Sequence, residues 1–488
     1  MKNSFLISLL VASGCSLSVN DPGTDPLPAQ FYFPSGIAID PSQPLLYVSG
    51  ANADLRYAGG IVQVVDLARF DRALADYRAQ KPSADTGLCA PDPIDPNVIA
   101  CDETPFVFGN QTVKVGNFAG DIRVLTTGAA TRRLFVGVRG DPSITWIDVD
   151  ASNASAPVLD CFDDLAAARA QPNQPPACDG SHLVRSVLVT ERSCPQGSLA
   201  GQCPSMIGIL PPEPFGMALD VGAYADGTAY QHLLVSHLGS GQVSLIDRLD
   251  TPNPTVEYVS APFFTSDATG HRGAFALAPQ HPGQGLSLWY LTSNVNPQIA
   301  TFRVAQANAI VPSQTFSLSG VFQVGNDVRD VAFQPDGARA FFTENNPPSV
   351  FVVDTRPNAT SADFPANQIV DVLDVCQEPS HMLPLTFQLP GAPGEPPLVQ
   401  NRLYVVCFVA NQVMVVDADT PQVLDTILLG RGPNDIVFDE RDGFTPRRRL
   451  YVSDFADWTI SMIDLDPGSP TENRVVARIG LPVPPQVP

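Results

Sequence analysis

Short apolar runs recur along the chain, and each run is bounded by turn residues. Seven segments share one sequence pattern. Each has an apolar strand after Gly or Pro, a turn, a strand ending in a tetrad such as LYVS, a polar loop, and a strand that usually ends in Asp. Runs of this length with turns between them predict β-strands rather than helices. The segments begin at Ser35, Gly120, Phe215, Gly273, Asp327, Met382 and Asn434.

The repeat also predicts how these strands are arranged. Further β-rich pieces lie between the seven segments, so each repeat offers about four strands. A single four-stranded sheet cannot bury both of its faces, so neighbouring sheets stack, and a closed ring removes the exposed ends of the stack. The sequence therefore predicts an all-β protein over residues 31–488: a seven-bladed β-propeller of four-stranded antiparallel blades.

Three stretches without a strand pattern are predicted to be loop insertions, each stapled by a disulfide bond: residues 68–106, 151–182 and 192–214. We expect the first two between the third and fourth strands of their blades, side by side on the face opposite the funnel mouth. The third should rise on the funnel face. A helix is predicted at the start of the first insertion, where Leu67, Phe70 and Leu74 recur at helical spacing.

The first 30 residues differ from the rest of the chain. A lysine precedes the eight apolar residues FLISLLVA, and the small residues Ser13 and Gly14 precede Cys15. Eight apolar residues are too few to span a bilayer, and residues 1–14 resemble a bacterial lipoprotein signal with lipidation of Cys15. An ordinary secretory signal is the alternative. Residues 15–30 are polar and proline-rich, so we expect a flexible tether to the outer membrane.

The remaining eight cysteines predict disulfide bonds. An even number in an exported chain favours disulfides, and no C-x-x-C pair or histidine at zinc-ligand spacing supports a zinc site. Sequence alone leaves the connectivity open, but the spacings suggest local pairs. These are Cys89 with Cys101, Cys161 with Cys178, Cys194 with Cys203, and the remaining Cys376 with Cys407.

One stretch carries a resemblance to a known family. Residues 413–438, VMVVDADTPQVLDTILLGRGPNDIVF, followed by LYVSD, closely resemble the YVTN-type repeat. That family contains surface-layer and envelope propellers, and it lies near the lactonase-like propellers, whose fold the resemblance also implies. The match is specific in the first repeat and in the last three, and it is looser in the three repeats between them.

Composition and charge restrict the classes of partner. The chain carries a formal charge of −22 at pH 7, and so acidic a protein repels phosphate backbones, which argues against nucleic acid as a partner. The sequence lacks the motifs of phosphate loops, dinucleotide sites, zinc proteases and EF-hands. No cofactor is predicted, and a divalent cation is the remaining alternative. The aspartates that end the third strands suit turns better than calcium.

Loop geometry predicts which residues gather at the mouth of the funnel. In a propeller, the connection from a fourth strand to the next first strand and the loop between second and third strands emerge on the same face. Polar residues on these segments could bind an anion, hold a metal or take part in acid–base chemistry. The candidates are Arg139, His237, His271, Arg272, Arg329, Glu344, His381 and Asp454.

Two classes of function follow from these observations. The favoured one is a cell-envelope lipoprotein, held to the membrane through Cys15, whose propeller binds a protein or glycan partner without catalysis or serves as a docking platform. The alternative is a lactonase-like enzyme, a hydrolase or lyase with His237, His271 or His381 as its base. Metal content and the side chains that enter the funnel would discriminate between them.

Overall fold

The structure is a ring of seven antiparallel sheets around a central axis. The computed structural model describes residues 23–170, 174–185, 210–318, 327–358, 361–389, 396–442 and 445–483. Within each sheet the strands are ordered from the axis outwards, with the first strand innermost. The first strands of neighbouring sheets contact one another around the ring. The predicted seven-bladed β-propeller is therefore confirmed. Within the described residues, no helix is long and apolar enough to cross a bilayer.

The first four blades contain the two insertions that the structure describes. Blade 1 contains β1 (Pro34–Ile39), β2 (Leu45–Gly50), β3 (Gly60–Asp66), helix α1 (Leu67–Arg78), β4 (Cys89–Pro91), β5 (Ile99–Cys101) and β6 (Val113–Val115). Blade 2 contains β7 (Ala119–Thr126), β8 (Thr131–Val138), β9 (Ser143–Asp150), β10 (Val158–Asp160), helix α2 (Leu165–Ala168) and β11 (Leu183–Arg185). Blade 3 contains β12 (Pro214–Ala223), β13 (Ala229–His237), β14 (Val243–Asp247) and β15 (Thr255–Val259). Blade 4 contains β16 (Ala274–Pro279), β17 (Leu288–Ser293), β18 (Gln298–Ala305) and β19 (Ala309–Ser317).

The last three blades are more regular. Blade 5 contains β20 (Val328–Phe333), β21 (Arg339–Asn345), β22 (Pro348–Asp354), a small hairpin of β23 (Pro357–Asn358) and β24 (Ser361–Pro365), and β25 (Gln368–Asp374). Blade 6 contains β26 (Pro379–Leu389), β27 (Leu398–Cys407), β28 (Gln412–Asp417) and β29 (Gln422–Leu428). Blade 7 contains β30 (Pro433–Glu440), β31 (Arg448–Asp454), β32 (Thr459–Asp464) and β33 (Arg474–Ile479). Short 3₁₀ helices span Thr86–Leu88, Gly109–Gln111 and Gly180–His182.

The hydrophobic core is divided into layers between neighbouring blades. Leu45 and Tyr47 of blade 1, for example, pack with Leu134 and Val136 of blade 2. All six residues of β2 are buried, because this strand has a blade on each side. The apolar tetrads in the sequence are therefore the second strands, whose two faces both lie in such a layer.

The hydroxyl group that ends several of these tetrads links one blade to the next. The first strand bulges after its first residue, and the Gly36 amide there donates to Ser49 Oγ at 2.9 Å. Ser49 Oγ in turn donates to the Gly120 carbonyl of blade 2 at 2.6 Å. Ser236 repeats the arrangement between blades 3 and 4, where it donates to the Phe275 carbonyl. The serine of LYVS thus accepts the hydrogen bond of the amide at the bulge and links its blade to the next one.

The ring closes where blade 7 meets blade 1, and we call this junction the seam. Asn434 Nδ2 donates to the Ser35 carbonyl at 2.5 Å, and the Ile37 amide donates to Asp435 Oδ2 at 2.9 Å. Ile37 also shares one apolar cluster with Tyr451 of blade 7. The seam therefore joins two segments about four hundred residues apart. LYVS occurs near both ends of the chain because it forms part of the second strand in both blade 1 and blade 7.

The first insertion lies partly where the sequence predicted and partly on the neighbouring blade. It does fall between the third and fourth strands of blade 1, and the predicted helix is confirmed as α1, with Asp66 as its N-cap. Helix α1 lies on the face opposite the funnel, as expected, because the Leu67 amide donates to the Pro44 carbonyl before β2 and Asp71 bonds Arg449 near the start of β31. The rest of the insertion does not stay on that face. Strand β5 instead pairs in parallel with β33, so the sheet of blade 7 has six strands. A free strand edge offers unpaired backbone groups, and the insertion satisfies those of β33.

The second insertion follows the same principle. Strands β10 and β11 both pair with β9, so the insertion interrupts the fourth strand of blade 2 instead of preceding it. Its bounds are therefore narrower than the predicted 151–182. The Cys178 amide donates to the Lys114 carbonyl at 3.0 Å, and the Lys114 amide donates to the Pro176 carbonyl at 2.7 Å. Each of these two insertions thus covers the outer strand of the preceding blade.

Part of the predicted tether is ordered. The Ala58 amide donates to the Thr24 carbonyl at 2.9 Å, Lys114 Nζ bonds Asp25 Oδ1 at 2.6 Å, and Thr112 Oγ1 donates to the Pro28 carbonyl at 2.6 Å. Flexibility over the whole of 15–30 is therefore wrong, because residues 24–28 are held against blade 1. The signal segment 1–14 and Cys15 lie outside the described residues.

Three of the four predicted disulfides are confirmed. Cys89–Cys101 closes the β4–β5 hairpin, Cys161–Cys178 closes the second insertion, and Cys376–Cys407 joins the end of blade 5 to blade 6. The fourth predicted pair, Cys194 with Cys203, lies outside the described residues, as does most of the third insertion.

Replacing Ser49 by alanine should destabilise the protein by about 1–2 kcal/mol, because the Gly36 amide and the Gly120 carbonyl both lose a buried partner. Equilibrium unfolding in urea measures the change. Ser155→Ala, in an exposed turn, is the matched control and should change the free energy of unfolding by less than about 0.5 kcal/mol. Equal stability of the two variants would contradict the inter-blade role of the LYVS serine.

Candidate functional site

A cavity of about 380 Å³ lies at one end of the central axis, and all seven blades line it. Each blade contributes residues from the start of its first strand, and most add the residue that follows the second strand. The cavity therefore opens on the face that the sequence predicted for the funnel mouth. We call it the funnel.

The third residue of each first strand forms a ring at the funnel. In four of the seven blades this residue is polar, although the strands are otherwise largely apolar. In chain order the ring consists of Gly36, Asp121, Gly216, Ala276, Asp330, His381 and Asp435.

The carboxylates in this ring hold neighbouring blades together. Asp330 Oδ2 accepts the Met382 amide of blade 6 at 2.7 Å, while its Oδ1 accepts the amide of Val331 at 2.8 Å. Asp435 repeats the pattern at the seam, where it accepts the amides of Ile37 and Ile436. Burial raises the pKa of Asp330 to about 6. Both carboxylates accept hydrogen bonds from backbone amides, so their main role is to join the blades of the ring and not to bind a ligand.

His381 lies between these carboxylates and has one free nitrogen. Its Nδ1 lies 2.6 Å from the Asn434 carbonyl, and because a carbonyl only accepts, Nδ1 carries a proton. Nε2 has no hydrogen-bond partner among the described residues. Burial lowers the pKa of His381, but the carboxylates of Asp435, Asp330 and Asp121 raise it further, so the net shift is upwards. The imidazole is thus biased towards its charged form.

Six phenylalanines surround the mouth of the funnel, and we call them the phenylalanine hoop. Phe215 and Phe275 contact each other with ring centroids 4.2 Å apart, and Phe455 lies 5.0 Å from Phe33 and 6.1 Å from Phe408. Each ring is partly exposed. Half-exposed aromatic rings around a cavity offer flat apolar surface to a ligand. The hoop consists of Phe33, Phe118, Phe215, Phe275, Phe408 and Phe455.

Two members of the hoop have an unusual backbone conformation. Phe33 and Phe118 each precede a first strand with φ values of 50° and 56°, a region that disfavours bulky side chains. The corresponding residue also has a positive φ in four other blades, at Glu213, Gly273, Glu378 and Gly432. The conformation is therefore a feature of the connection into these blades, and the two phenylalanine rings are carried to the funnel mouth by it.

Three arginines line the funnel, and they differ in their partners. Arg123 bonds Asp121 at 2.9 Å, and Arg329 binds Asp327 through two nitrogens at 2.5 and 2.7 Å. Arg139 is exposed and lies over the ring of Phe215 at 5.2 Å, without a carboxylate partner among the described residues. Arg139 is therefore the arginine of the funnel that is available to an incoming anion.

Three of the eight candidate residues line the funnel: Arg139, Arg329 and His381. His237, Glu344 and Asp454 do not, and all three are fully buried. Each pairs with the first residue of the neighbouring first strand, so its side chain points into the blade. Successive side chains in a strand point to opposite faces, and the next residue, such as Phe455 after Asp454, reaches the funnel instead.

These buried groups are structural. His237 Nε2 lies 2.8 Å from Ser244 Oγ and its Nδ1 3.2 Å from the Pro212 carbonyl, and burial lowers its pKa to about 3. Burial raises the pKa of Glu344 and raises that of Asp454 to about 6. A neutral, enclosed histidine cannot reach a ligand, so the proposal of His237 as a catalytic base is wrong.

His271 and Arg272 lie in the connection between blades 3 and 4, outside the funnel. The His271 amide donates to Asp267 Oδ1 at 2.9 Å, and Arg272 Nη1 donates to the Phe264 carbonyl at 2.7 Å. Neither side chain lines the cavity. Their sequence position on a funnel-face segment was correct, but this connection is long enough to carry them away from the axis.

Sequence reasoning missed the phenylalanine hoop and most of the polar ring. A signal for the ring was present: Asp121, Asp330 and Asp435 occupy the same position of their repeats, three residues into an apolar strand. Alignment of the seven repeats with each other would have exposed it. The hoop had no such signal, because its members come from three different positions of the repeat.

The structure offers no preformed metal site in the part of the chain that it describes. No group of three or more His, Cys, Asp or Glu side chains lies close enough there to hold an ion. The aspartates that end the third strands have another role. Asp417 and Asp464 accept the amides of Asp419 and Asp466, two residues further on, and thereby fix turns.

Comparison with known proteins finds solved structures that are only distantly similar to this chain. No family model and no curated protein matches the chain. A protein from Bacteroides uniformis that is provisionally assigned as a 6-phosphogluconolactonase is 10% identical over 81% of this chain and 85% of its own, with a TM-score of 0.48. The periplasmic gluconolactonase of Pseudomonas aeruginosa is 15% identical over 82% and 87%, with a TM-score of 0.47.

A protein from Lactobacillus plantarum is also similar, with 13% identity over 82% of this chain and 86% of its own and a TM-score of 0.44. All three scores lie below 0.5, so the seven-bladed fold stands on the strand pairing described above.

Replacing His381 by asparagine should remove a pH-dependent part of the stability. Because the pKa of His381 is raised in the folded state, its contribution is complete below its unfolded pKa of about 6.5 and is lost as pH rises through the folded value. The raised pKa of Asp330 acts in the same direction at lower pH. The variant should lose about 1–2 kcal/mol near pH 6, and less at pH 9, in urea unfolding.

His271→Asn is the control, since this side chain lies outside the ring of carboxylates. If the His381 variant kept the pH profile of the wild type, the imidazole would not be the cation that balances Asp330 and Asp435.

Proposed function

We propose that the chain is a non-catalytic binding protein of the cell envelope, whose funnel takes a small ligand with a planar apolar body and an acidic group. The observation that carries this proposal is the combination, at one cavity, of the phenylalanine hoop and the guanidinium of Arg139, which has no carboxylate partner among the described residues. An envelope protein or glycan that presents such a group would be recognised in the same way.

The apolar part of the ligand is inferred from the size and lining of the funnel. A volume of about 380 Å³ is within the range of pockets that bind small molecules and bury most of their surface. Phe215 and Phe275 form one wall, and Phe408 and Phe455 form another. A flat ring between such walls gains both apolar burial and aromatic contacts.

The acidic group is inferred from the arginines. Arg123 and Arg329 are neutralised by aspartates two residues away, whereas Arg139 is held only by the face of Phe215 among the described residues. An arginine with free donors at the rim of an apolar cavity favours a carboxylate or a similar anion. His381 Nε2, when protonated, is a further donor in the same cavity.

The envelope location rests on the sequence. The N-terminal pattern before Cys15 resembles a lipoprotein signal, and the three disulfides are typical of proteins that fold in an oxidising compartment. Lipidation at Cys15 would leave the propeller on a short segment at the surface of the outer membrane, where its funnel meets extracellular or periplasmic ligands.

A lactonase-like hydrolase or lyase is the second candidate, and His381 is the observation that favours it. Its Nε2 is a titratable atom of the funnel lining that has no hydrogen-bond partner among the described residues. The upward shift of its pKa favours the charged imidazole, which suits an acid better than a base. Asp330 and Asp435 are engaged by backbone amides, which leaves Glu378 in the funnel lining as the candidate for a second catalytic group. Binding is favoured because no hydrogen bond among the described residues links Glu378 to His381.

Naphthalene-2-carboxylate should bind the funnel more tightly than naphthalene-2-carboxamide, since the amide keeps the apolar body and loses the charge. We expect Phe215→Ala to weaken both probes and Arg139→Gln to weaken the carboxylate alone, each by about tenfold. Arg329→Gln is the matched control, because Asp327 already occupies that guanidinium. Isothermal titration calorimetry measures the affinities.

Failure of both probes to bind the wild-type protein would refute the funnel as a site for such ligands. Turnover of a δ-lactone by the wild type, abolished in His381→Asn, would replace the binding proposal with the enzymatic one.

A further inference from the structure

The seam passes through the funnel. Ser35 of blade 1 and Asn434 of blade 7 both line the cavity, and Asn434 Nδ2 donates to the Ser35 carbonyl across the seam. A second bond crosses the seam close by, where the Ile37 amide of blade 1 donates to Asp435 Oδ2 of blade 7. The wall of the funnel is therefore continuous only when blades 1 and 7 are in contact.

The first insertion spans this seam from the outside. We call residues 67–101 the clasp, because they leave blade 1 after β3 and dock on blade 7. Strand β5 pairs in parallel with β33, with Ile99 opposite Ala477 and Cys101 opposite Ile479. The Gly480 amide adds a bond of 2.8 Å to the Cys101 carbonyl. The clasp thus adds two strands from the chain segment of blade 1 to the sheet of blade 7.

Two buried ion pairs fix the clasp on blade 7. Asp92 bonds Arg478, and the side chains are 0% and 6% exposed. Asp71 of α1 bonds Arg449 at 2.6 Å, with side-chain exposures of 7% and 0%. Removing one member of a buried pair leaves an uncompensated charge, so these contacts make docking of the clasp specific and all-or-none in character.

A chain of buried polar contacts continues from the clasp to the funnel mouth. Arg478 Nε donates to Ser461 Oγ at 3.3 Å, and Ser461 Oγ donates to Asp454 Oδ2 at 2.6 Å. Asp454 directly precedes Phe455, a member of the phenylalanine hoop. The chain therefore runs across blade 7, from the outer strand that holds the clasp to a residue at the funnel mouth.

We propose that the clasp controls the ligand affinity of the funnel: docked, it keeps the seam closed and the funnel in its binding form; released, it lets the seam open. This inference rests on the proposed function as far as affinity is concerned. Its physical basis is a shared contact, since the seam is at once the junction that the clasp spans and a wall of the site.

The variants that release the clasp leave the funnel untouched. Cys89→Ser with Cys101→Ser removes the staple of the β4–β5 hairpin, and Asp92→Asn, a milder change, removes the charge that faces Arg478. Cys161→Ser with Cys178→Ser is the matched control, because it unstaples the second insertion, which covers blade 1 rather than the seam.

Hydrogen exchange of the Ile37 amide reports on the seam, because this amide donates across it. We expect exchange to rise at least about tenfold in the clasp variants and to stay within about twofold in the control. Affinity for naphthalene-2-carboxylate should fall by about tenfold in the same clasp variants and not in the control.

Unchanged exchange at Ile37 in a folded clasp variant, or an equal rise in the control, would contradict the proposal that the clasp keeps the seam closed. Faster exchange without loss of affinity would overturn its control of the funnel. If the wild-type protein binds no naphthalene-2-carboxylate, the proposed function fails, and the exchange measurement still decides whether the clasp closes the seam.

Discussion

Hydrogen bonds between neighbouring first strands hold the ring together, and the rest of the structure depends on them. The carboxylate of Asp330 binds the Met382 amide in the next blade, and Asp435 does the same for Ile37 across the seam. The apolar layers between blades supply most of the free energy, but they do not fix the order or spacing of the blades. Directed bonds at the same position of four of the seven repeats do, and they leave a ring of defined width with a cavity on its axis.

The same short segments therefore build the ring and the site. In blades 3 and 4 the second residue of the first strand, Phe215 or Phe275, faces the funnel, while the third residue contacts the next blade. Gly216 shows how tight this contact is, because a Cβ there would lie 2.3 Å from the Phe275 carbonyl. Ligand-facing residues are thus free to vary while their neighbours are constrained. Because of this division of roles, the same fold can carry different side chains in its funnel. The function therefore has to be inferred from the side chains that line the funnel.

The fold could be predicted from the sequence because its determinants are local and repeated seven times. The site was harder, since a shift of one residue in a strand turns a side chain from the funnel into the blade, as for Glu344 in place of Asn345. The docking of the clasp could not be predicted. Residues 99–101 pair with residues 477–479, and neither segment has a sequence pattern that indicates its partner. Pairing between such distant segments is decided by the free edge of β33, a property of the assembled blade.

Closure of the ring is tested most directly by a chain that ends at Gly432 and so lacks blade 7. Without that blade, the apolar layer that Ile37 shares with Tyr451 is exposed, and the clasp has no strand on which to dock. Ring closure predicts that this chain loses cooperative unfolding in urea altogether, since each blade depends on both neighbours. A truncated chain that unfolds in one cooperative step, with stability close to that of the complete protein, would contradict it.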